Sequence, residues 1–309
     1  MELNFVRTVC EDSGSGSIRL AKLKSSDGEE IVNVKKVRVD AAESSSSQSA
    51  IVREATALMC LRGNRWVPEI KFYYRDTLHH YLGTGVLDCE DLESVLERRT
   101  ALPIHEARDI IAQLVLAIES LHSFGFIHRN LKPETIVFDS RGCLRLTGFD
   151  LCHRLGERVD CDNLPVDYFA PETLTDPVPC SSSVDVWSVG VILYELVYGG
   201  PPFSDDSRDR NKTIYRIIHS ERYLWFPHHD DPDAPVVNDL ISLLLKPVGD
   251  RIPIKDMKSH AFLRSIDWTD LRLPDSIRSI PDTHSIIFHY KSPAGRLNVC
   301  NTSTTLMYT

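Results

Sequence analysis

Apolar and polar positions follow a two-residue period near the amino terminus and a helical period after about residue 90, so two kinds of architecture are written in series along this chain. Ser17-Ile18-Arg19-Leu20-Ala21 and Ile31-Val32-Asn33-Val34-Lys35 read as strands, and Ser25-Ser26-Asp27-Gly28 between them is a hairpin-like turn, so the two runs are expected to pair. Asp40 to Ala50, with serines at 44 to 47, hydrates well and packs poorly, which predicts a flexible connection. Ile51, Ala55, Leu58 and Met59 then recur at helical spacing over 51–62, and His79 to Val86 reads as another strand. From Asp91 onward the pattern is helical. Ile111, Leu114, Val115, Ile118 and Leu121 share one face of a helix over Ile104 to His122, and Gly125 sits where it stops. Further helices are predicted over Val184–Val197, Asn211–His219, Val236–Leu245 and Ile254–Leu263. The expected fold class is α+β: a small, mostly β lobe over about 1–85, a larger α-rich lobe over about 88–268, and a tail, 269–309, that wraps the lobes or is partly disordered.

Composition narrows the class. The 309 residues, 42% hydrophobic and 26% charged, supply enough apolar material for a core. A net charge of −9 without a Lys/Arg cluster speaks against nucleic-acid or anionic-membrane binding and favours basic or neutral protein partners. The most apolar run, Val184 to Tyr198, is broken by Asp185 and Glu195 and is too short to span a bilayer, so it is expected to be core. Eight cysteines without a C-x-x-C pair suit reduced thiols, and the amino terminus lacks the pattern of a signal peptide. Both point to an intracellular setting, cytoplasmic or nuclear.

The chemistry is concentrated in His128-Arg129-Asn130-Leu131-Lys132-Pro133-Glu134-Thr135 and Leu146-Thr147-Gly148-Phe149-Asp150. Around them stand Val-x-Val-Lys ending at Lys35, Glu54 in the first predicted helix, Ala170-Pro171-Glu172, Asp185-Val186-Trp187-Ser188-Val189-Gly190, and Arg251. This set resembles the eukaryotic protein kinase family, of serine/threonine type, from about residue 5 to residue 268, and implies its bilobal fold. The closing His260-Ala261-Phe262 and Ile266-Asp267-Trp268 resemble the AGC group, although the aromatic motif that ends an AGC tail is absent. The resemblance implies that Lys35 and Glu54 form the ion pair that positions nucleotide phosphates, and that Ile18, Asn33, Val137 and Gly16 occupy positions of the ATP pocket. It makes Glu172 and Arg251 a buried pair, gives Asp185 a scaffold role, and stacks His128 and Phe149, with Leu58, in an apolar spine. Retained Arg129 is where the family docks a phosphorylated activation segment.

The same resemblance exposes what is missing. Asn130 stands at the catalytic-base position, with Lys132 retained, and Thr135 and Gly148 replace both metal ligands of the family. An amide carries no useful basicity near neutral pH, and glycine offers no ligand at all. The frame admits ATP as a ligand, with binding left open, but these residues are not expected to hold magnesium. Asp150, two residues past the vacant position, is not expected to swing in, because the spine should pin Phe149. Asn33 takes a slot where the family has alanine, Glu11 and Ser13 take two glycine positions of the phosphate loop, and an alternative register starts at Gly14. Gly148 to Glu172 contains no serine or threonine, only Tyr168, and Pro165 replaces a hydrogen-bonding threonine.

Two readings follow. The first is a catalytically inactive pseudokinase that binds or scaffolds proteins, an active kinase or a basic peptide among them, with Asp91 and Glu134 where basophilic relatives hold substrate arginines. The second is an atypical, slow ATP-dependent serine/threonine kinase that transfers the γ-phosphoryl group to protein hydroxyls.

Overall fold

The computed structural model describes residues 2–12, 16–25, 28–39, 46–87, 89–139, 142–157, 166–175, 181–204, 209–269 and 271. They divide into two compact units: one comprises the residues up to Ala55 with Glu69–Val86, the other Thr56–Pro68 and the chain from Leu87 onward.

The first unit is an antiparallel sheet of β1 (Glu2–Asp12), β2 (Gly16–Ser25), β3 (Gly28–Arg38), β4 (Ile70–Arg75) and β5 (His79–Gly85) in the order β1-β2-β3-β5-β4. β2 and β3 pair as their alternation predicts, with Ile18 opposite Lys35 and Leu20 opposite Asn33. Because side chains alternate across a strand, this register sends Ile18, Asn33 and Lys35 to one face and Ala21, Val32 and Val34 to the other. On that second face Ala21, Leu23, Val32, Val34 and Tyr81 form a buried cluster, against which Leu3, Phe5 and Phe72 pack.

Helix α1 runs over Ser46–Cys60, so it begins inside the segment expected to be a flexible connection. Serine is a poor helix interior but a good helix start, and composition alone does not separate the two roles. The rest of that segment, 40–45, lies outside the described residues.

The second unit is helical around two short sheets. Its elements are β6 (Cys89–Asp91), α2 (Leu92–Arg99), α3 (Ile104–Ser123), β7 (Phe126–Ile127), β8 (Ile136–Asp139), β9 (Leu144–Leu146), β10 (His153–Arg154), α4 (Glu172–Thr175), α5 (Ser183–Tyr198), α6 (Arg210–Ile218), α7 (Ser220–Tyr223), α8 (Ala234–Leu244) and α9 (Ile254–Met257). The small sheets are β6-β8-β9 and β7-β10. α5 is buried from Val184 to Val197, as a helix apolar on all sides must be. On α3 the wholly buried Gln113 accepts from the Leu144 amide at 3.0 Å and donates to the Gly142 carbonyl at 3.3 Å, which fixes the entry of β9. The helix expected over 254–263 is interrupted: α9 ends at Met257, and the His260 side chain caps a separate 3-10 turn, Ala261–Leu263. No helix among the described residues is long and apolar enough to cross a membrane.

Gly190 marks the close approach of α5 to the end of α8. A Cβ there would stand 2.8 Å from both Leu244 Cβ and Leu245 Cδ2. Gly190→Ala is therefore expected to destabilise the chain by about 1–3 kcal/mol through overpacking. A urea titration reads this as a lower midpoint at unchanged slope, and an unchanged midpoint would show that the helices give way at no cost.

Candidate functional site

The loop between β7 and β8 is anchored from α5. Asp185 is fully buried, and its carboxylate accepts from the His128 amide at 2.9 Å, the Arg129 amide at 2.8 Å and His122 Nε2 at 2.8 Å. Burial by itself pushes this carboxyl up. The hydrogen bond and charge of His122 and the Arg129 amide outweigh it and hold the group below its ordinary value. Arg129 takes a left-handed conformation with φ 62°, a strained choice for a non-glycine residue, and its amide is one of the bonds that hold it there. His128 lies 4.8 Å, centroid to centroid, from the Phe149 ring; its Nε2 donates to the Thr147 carbonyl at 2.9 Å while Nδ1 accepts from the Asn130 amide at 3.3 Å. Burial lowers the His128 pKa, which keeps the ring neutral in the tautomer this geometry requires. Leu58 is buried in the same unit.

Asn130 turns its amide nitrogen inward. Nδ2 donates to Asp150 Oδ1 at 3.1 Å and, more weakly, to the Gly148 carbonyl at 3.4 Å, so both N–H groups point at the segment after β9. Phe149 stays 1% exposed, and the short 3-10 turn Phe149–Leu151 brings Asp150 to the Asn130 amide without displacing it. The Thr135 hydroxyl accepts from the Lys132 amide at 3.1 Å and lies 2.8 Å from the Asn130 carbonyl, so it closes the turn at Pro133–Thr135. Lys132 pairs with Glu134 at 3.1 Å.

A protein-held magnesium does not fit these residues. Gly148 has φ 74° and no side chain, and a Cβ built on it would stand 2.7 Å from Thr135 Cγ2. The space a ligand side chain would enter is thus closed by a methyl group, while the threonine hydroxyl is spent inside its own turn. Asp150 brings one carboxylate to this group of residues, and magnesium requires several hard oxygens in near-octahedral array.

A second cluster braces the start of α5. Glu172 receives Arg251 in a bidentate pair at 2.7 and 3.0 Å, and Arg251 also donates to the Ser183 carbonyl at 2.7 Å and to the Lys246 carbonyl at 3.0 Å. Its guanidinium lies 5.0 Å over the Trp187 ring. Nearby, the Tyr168 hydroxyl donates to Glu195 Oε2 at 2.6 Å. Burial pushes the Glu195 carboxyl up to about 7, with the charges of Glu93, Glu134 and Asp167 adding to the rise and the tyrosine bond opposing it. Glu93 is raised by burial and by Glu134, Glu97 and Asp91. Asp91 spends its carboxylate on the amide of Ser94 at 2.7 Å, as the N-cap of α2. Sequence reasoning passed over Glu195 and His122. Their signal, ionisable residues inside or beside an apolar helix, was present.

In the first unit Lys35 Nζ stands 2.7 Å from Glu54 Oε2. Ile18 and Asn33 share the Lys35 face, and Gly16 opens β2 opposite Asp12. Val137 belongs to the other unit, buried in β8 between Asp91 and Arg145. Ser13, Gly14, Pro165 and the tail beyond 271 lie outside the described residues, as does the Glu11 side chain.

A family model described as the protein kinase domain matches residues 10–263. The citron rho-interacting kinase of Rattus norvegicus is 30% identical over 247 residues, 77% of this chain and 12% of that protein. MRCK gamma, a serine/threonine-protein kinase of Homo sapiens, is 32% identical over 238 residues, 73% of this chain and 15% of that protein. The serine/threonine-protein kinase tricornered of Drosophila pseudoobscura pseudoobscura is 28% identical over 290 residues, 76% of this chain and 62% of that protein. The chain spans less than two thirds of the length of each of these relatives.

Glu195 makes a pH-dependent contribution whose sign follows from its raised pKa. The folded state holds the proton more tightly than the unfolded one, so the stability it contributes is complete below the ordinary value of 4.5 and is lost as pH rises through about 7. Glu195→Gln is expected to raise the melting temperature relative to the parent at pH 8 and to have much less effect at pH 5. An equal shift at both pH values would show that Glu195 is not held protonated.

Proposed function

The chain belongs to the protein kinase domain family, and on that premise we propose that it is a catalytically inactive kinase-fold module, a pseudokinase, whose output is contact with other proteins. The observation that carries this reading is Asn130. At the position where the family accepts the substrate proton there is an amide, and its nitrogen is committed to Asp150 and the Gly148 carbonyl. The remaining carbonyl oxygen accepts a hydrogen bond but takes up no proton near neutral pH, which removes a contribution of ~10²–10⁴ in rate. The poor fit of magnesium removes the second source of charge stabilisation, so base and metal are lost together. The supports that are independent of catalysis, Asp185 with its three donors and Glu172 with Arg251, are intact.

The partner in this reading is a protein, an active kinase or a basic peptide. Glu93, Glu134 and Glu195 lie within one another's electrostatic reach, and a guanidinium is the group best matched to such a field. Asp91 caps α2 through one carboxylate oxygen, and its charge adds to the same field at Glu93. The setting we assign is intracellular, cytoplasmic or nuclear; Cys60 and Cys143 carry free thiols.

A second reading, an atypical serine/threonine kinase using ATP, is favoured by one observation: the Lys35–Glu54 ion pair is formed, which is the pairing that nucleotide phosphates require.

Thermal melting of the chain with ATP, with and without magnesium, separates the two, because a ligand of the native state raises stability by RT ln(1 + [L]/Kd). The pseudokinase reading expects no shift, or a shift that magnesium does not enlarge. A rise that requires magnesium would overturn it in favour of the kinase reading.

A further inference from the structure

We infer that the three substituted positions, together with Asp150, form two coupled pairs, Asn130 with Asp150 and Thr135 with Gly148, so that in each pair one residue limits what the other can be. The inference rests on the family reading, which identifies the positions, but not on whether the chain binds ATP.

The first pair is electrostatic. Asn130 Nδ2 is 3.1 Å from Asp150 Oδ1 and 3.4 Å from the Gly148 carbonyl oxygen, so the group at this point must be a donor. An aspartate at 130 would set an acceptor against two acceptors, one of them charged, in a half-buried place where like charges disfavour each other strongly. The family's base is thus excluded here by Asp150, a neighbour that the substitution at 130 turns into a partner. Asp150 acts as a positioning residue: it fixes which end of the Asn130 amide faces inward.

The second pair is steric. Thr135 is 6% exposed, its hydroxyl is held by the turn, and that bond fixes the rotation that sends Cγ2 toward Gly148. With 2.7 Å between that methyl and a Cβ at 148, a threonine at 135 leaves room for nothing larger than glycine at 148. Removing the methyl while keeping the hydroxyl opens the space without unpinning the turn, which is the difference between threonine and serine.

Double-mutant cycles on melting temperature, without nucleotide, test both pairs. For the first, Asn130→Asp is expected to lower the melting temperature at pH 7.5. Combining it with Asp150→Asn, which swaps amide and carboxylate, is expected to recover most of that loss. The defect of Asn130→Asp alone should shrink at pH 4.5, where one of the two carboxyls takes up a proton; a merely structural lesion would not respond in this way. For the second, Gly148→Ala carries both the left-handed backbone strain and the clash, and Thr135→Ser is expected to relieve the clash part, so the double variant loses less than the sum of the singles. Additive cycles at both pairs would overturn the inference. So would an Asn130→Asp chain that does not fold and that Asp150→Asn fails to rescue, whereas rescue of folding would support it. None of these outcomes bears on the ATP melting experiment, so failure here leaves the pseudokinase reading to stand or fall separately.

Discussion

The carboxylate of Asp185 is the constraint on which the rest of the site depends. Two consecutive amides, of His128 and Arg129, converge on it, and they do so only because Arg129 accepts a left-handed backbone. Burying an unpaired carboxylate is costly, and leaving one of these partners out would strand it at about 3–5 kcal/mol. Three donors offset that cost, and the sum of their interactions exceeds desolvation, as the lowered pKa records. The direction of the loop past residue 129 follows from this, including where Asn130 and Thr135 point. Arg251 ties the start of the same helix to Glu172 through Ser183, so the loop and the segment around Ala170-Pro171-Glu172 share one support.

None of that support needs a base at 130 or a metal beside 148. In a kinase frame the loop is held by side chains that never touch the reacting atoms, which is why the frame survives the loss of those that do. The substituted residues are not inert in the fold, however. Asn130 and Thr135 make hydrogen bonds to the backbone of the loop or of the segment facing it, and Asp150 is drawn into the same network. The structural logic of the site is therefore complete on its own terms, and the reading as a binding module draws its weight from that closure.

Spacing made the frame legible in the sequence. A register of 18 residues from Asn130 to Gly148 allowed each substituted position to be identified before any geometry was known. What the sequence withheld was partner choice. That Asp150 reaches Asn130 depends on a 3-10 turn at Phe149–Leu151, and no periodicity announces so short an element. That Thr135 faces inward with its methyl depends on which of its bonds the turn satisfies. Glu195 looked like a polar interruption of an apolar run, and only the packing of α5 places it beside Tyr168 and within reach of Glu93 and Glu134. The start of α1 among serines failed for a different reason, since serine signals both a loop and the beginning of a helix.

An active phosphoryl-transfer site gathers carboxylates that repel one another until a metal arrives, so it stores strain in the free protein in exchange for catalysis. Here two of those charges are gone, replaced by Asn130 and Gly148, and the one that moved in, Asp150, accepts a hydrogen bond from the very residue that replaced the base. A cation is no longer needed to hold the loop together. The electrostatic tension that remains lies elsewhere, at Glu195 and Glu93, where burial and mutual repulsion raise both carboxyls. A positive group approaching Glu93 would relieve part of that repulsion, and the carboxyls concerned are residues other than Asn130, Thr135 and Gly148. On the pseudokinase reading, the same fold keeps a driving force for association after losing the groups that drive the reaction.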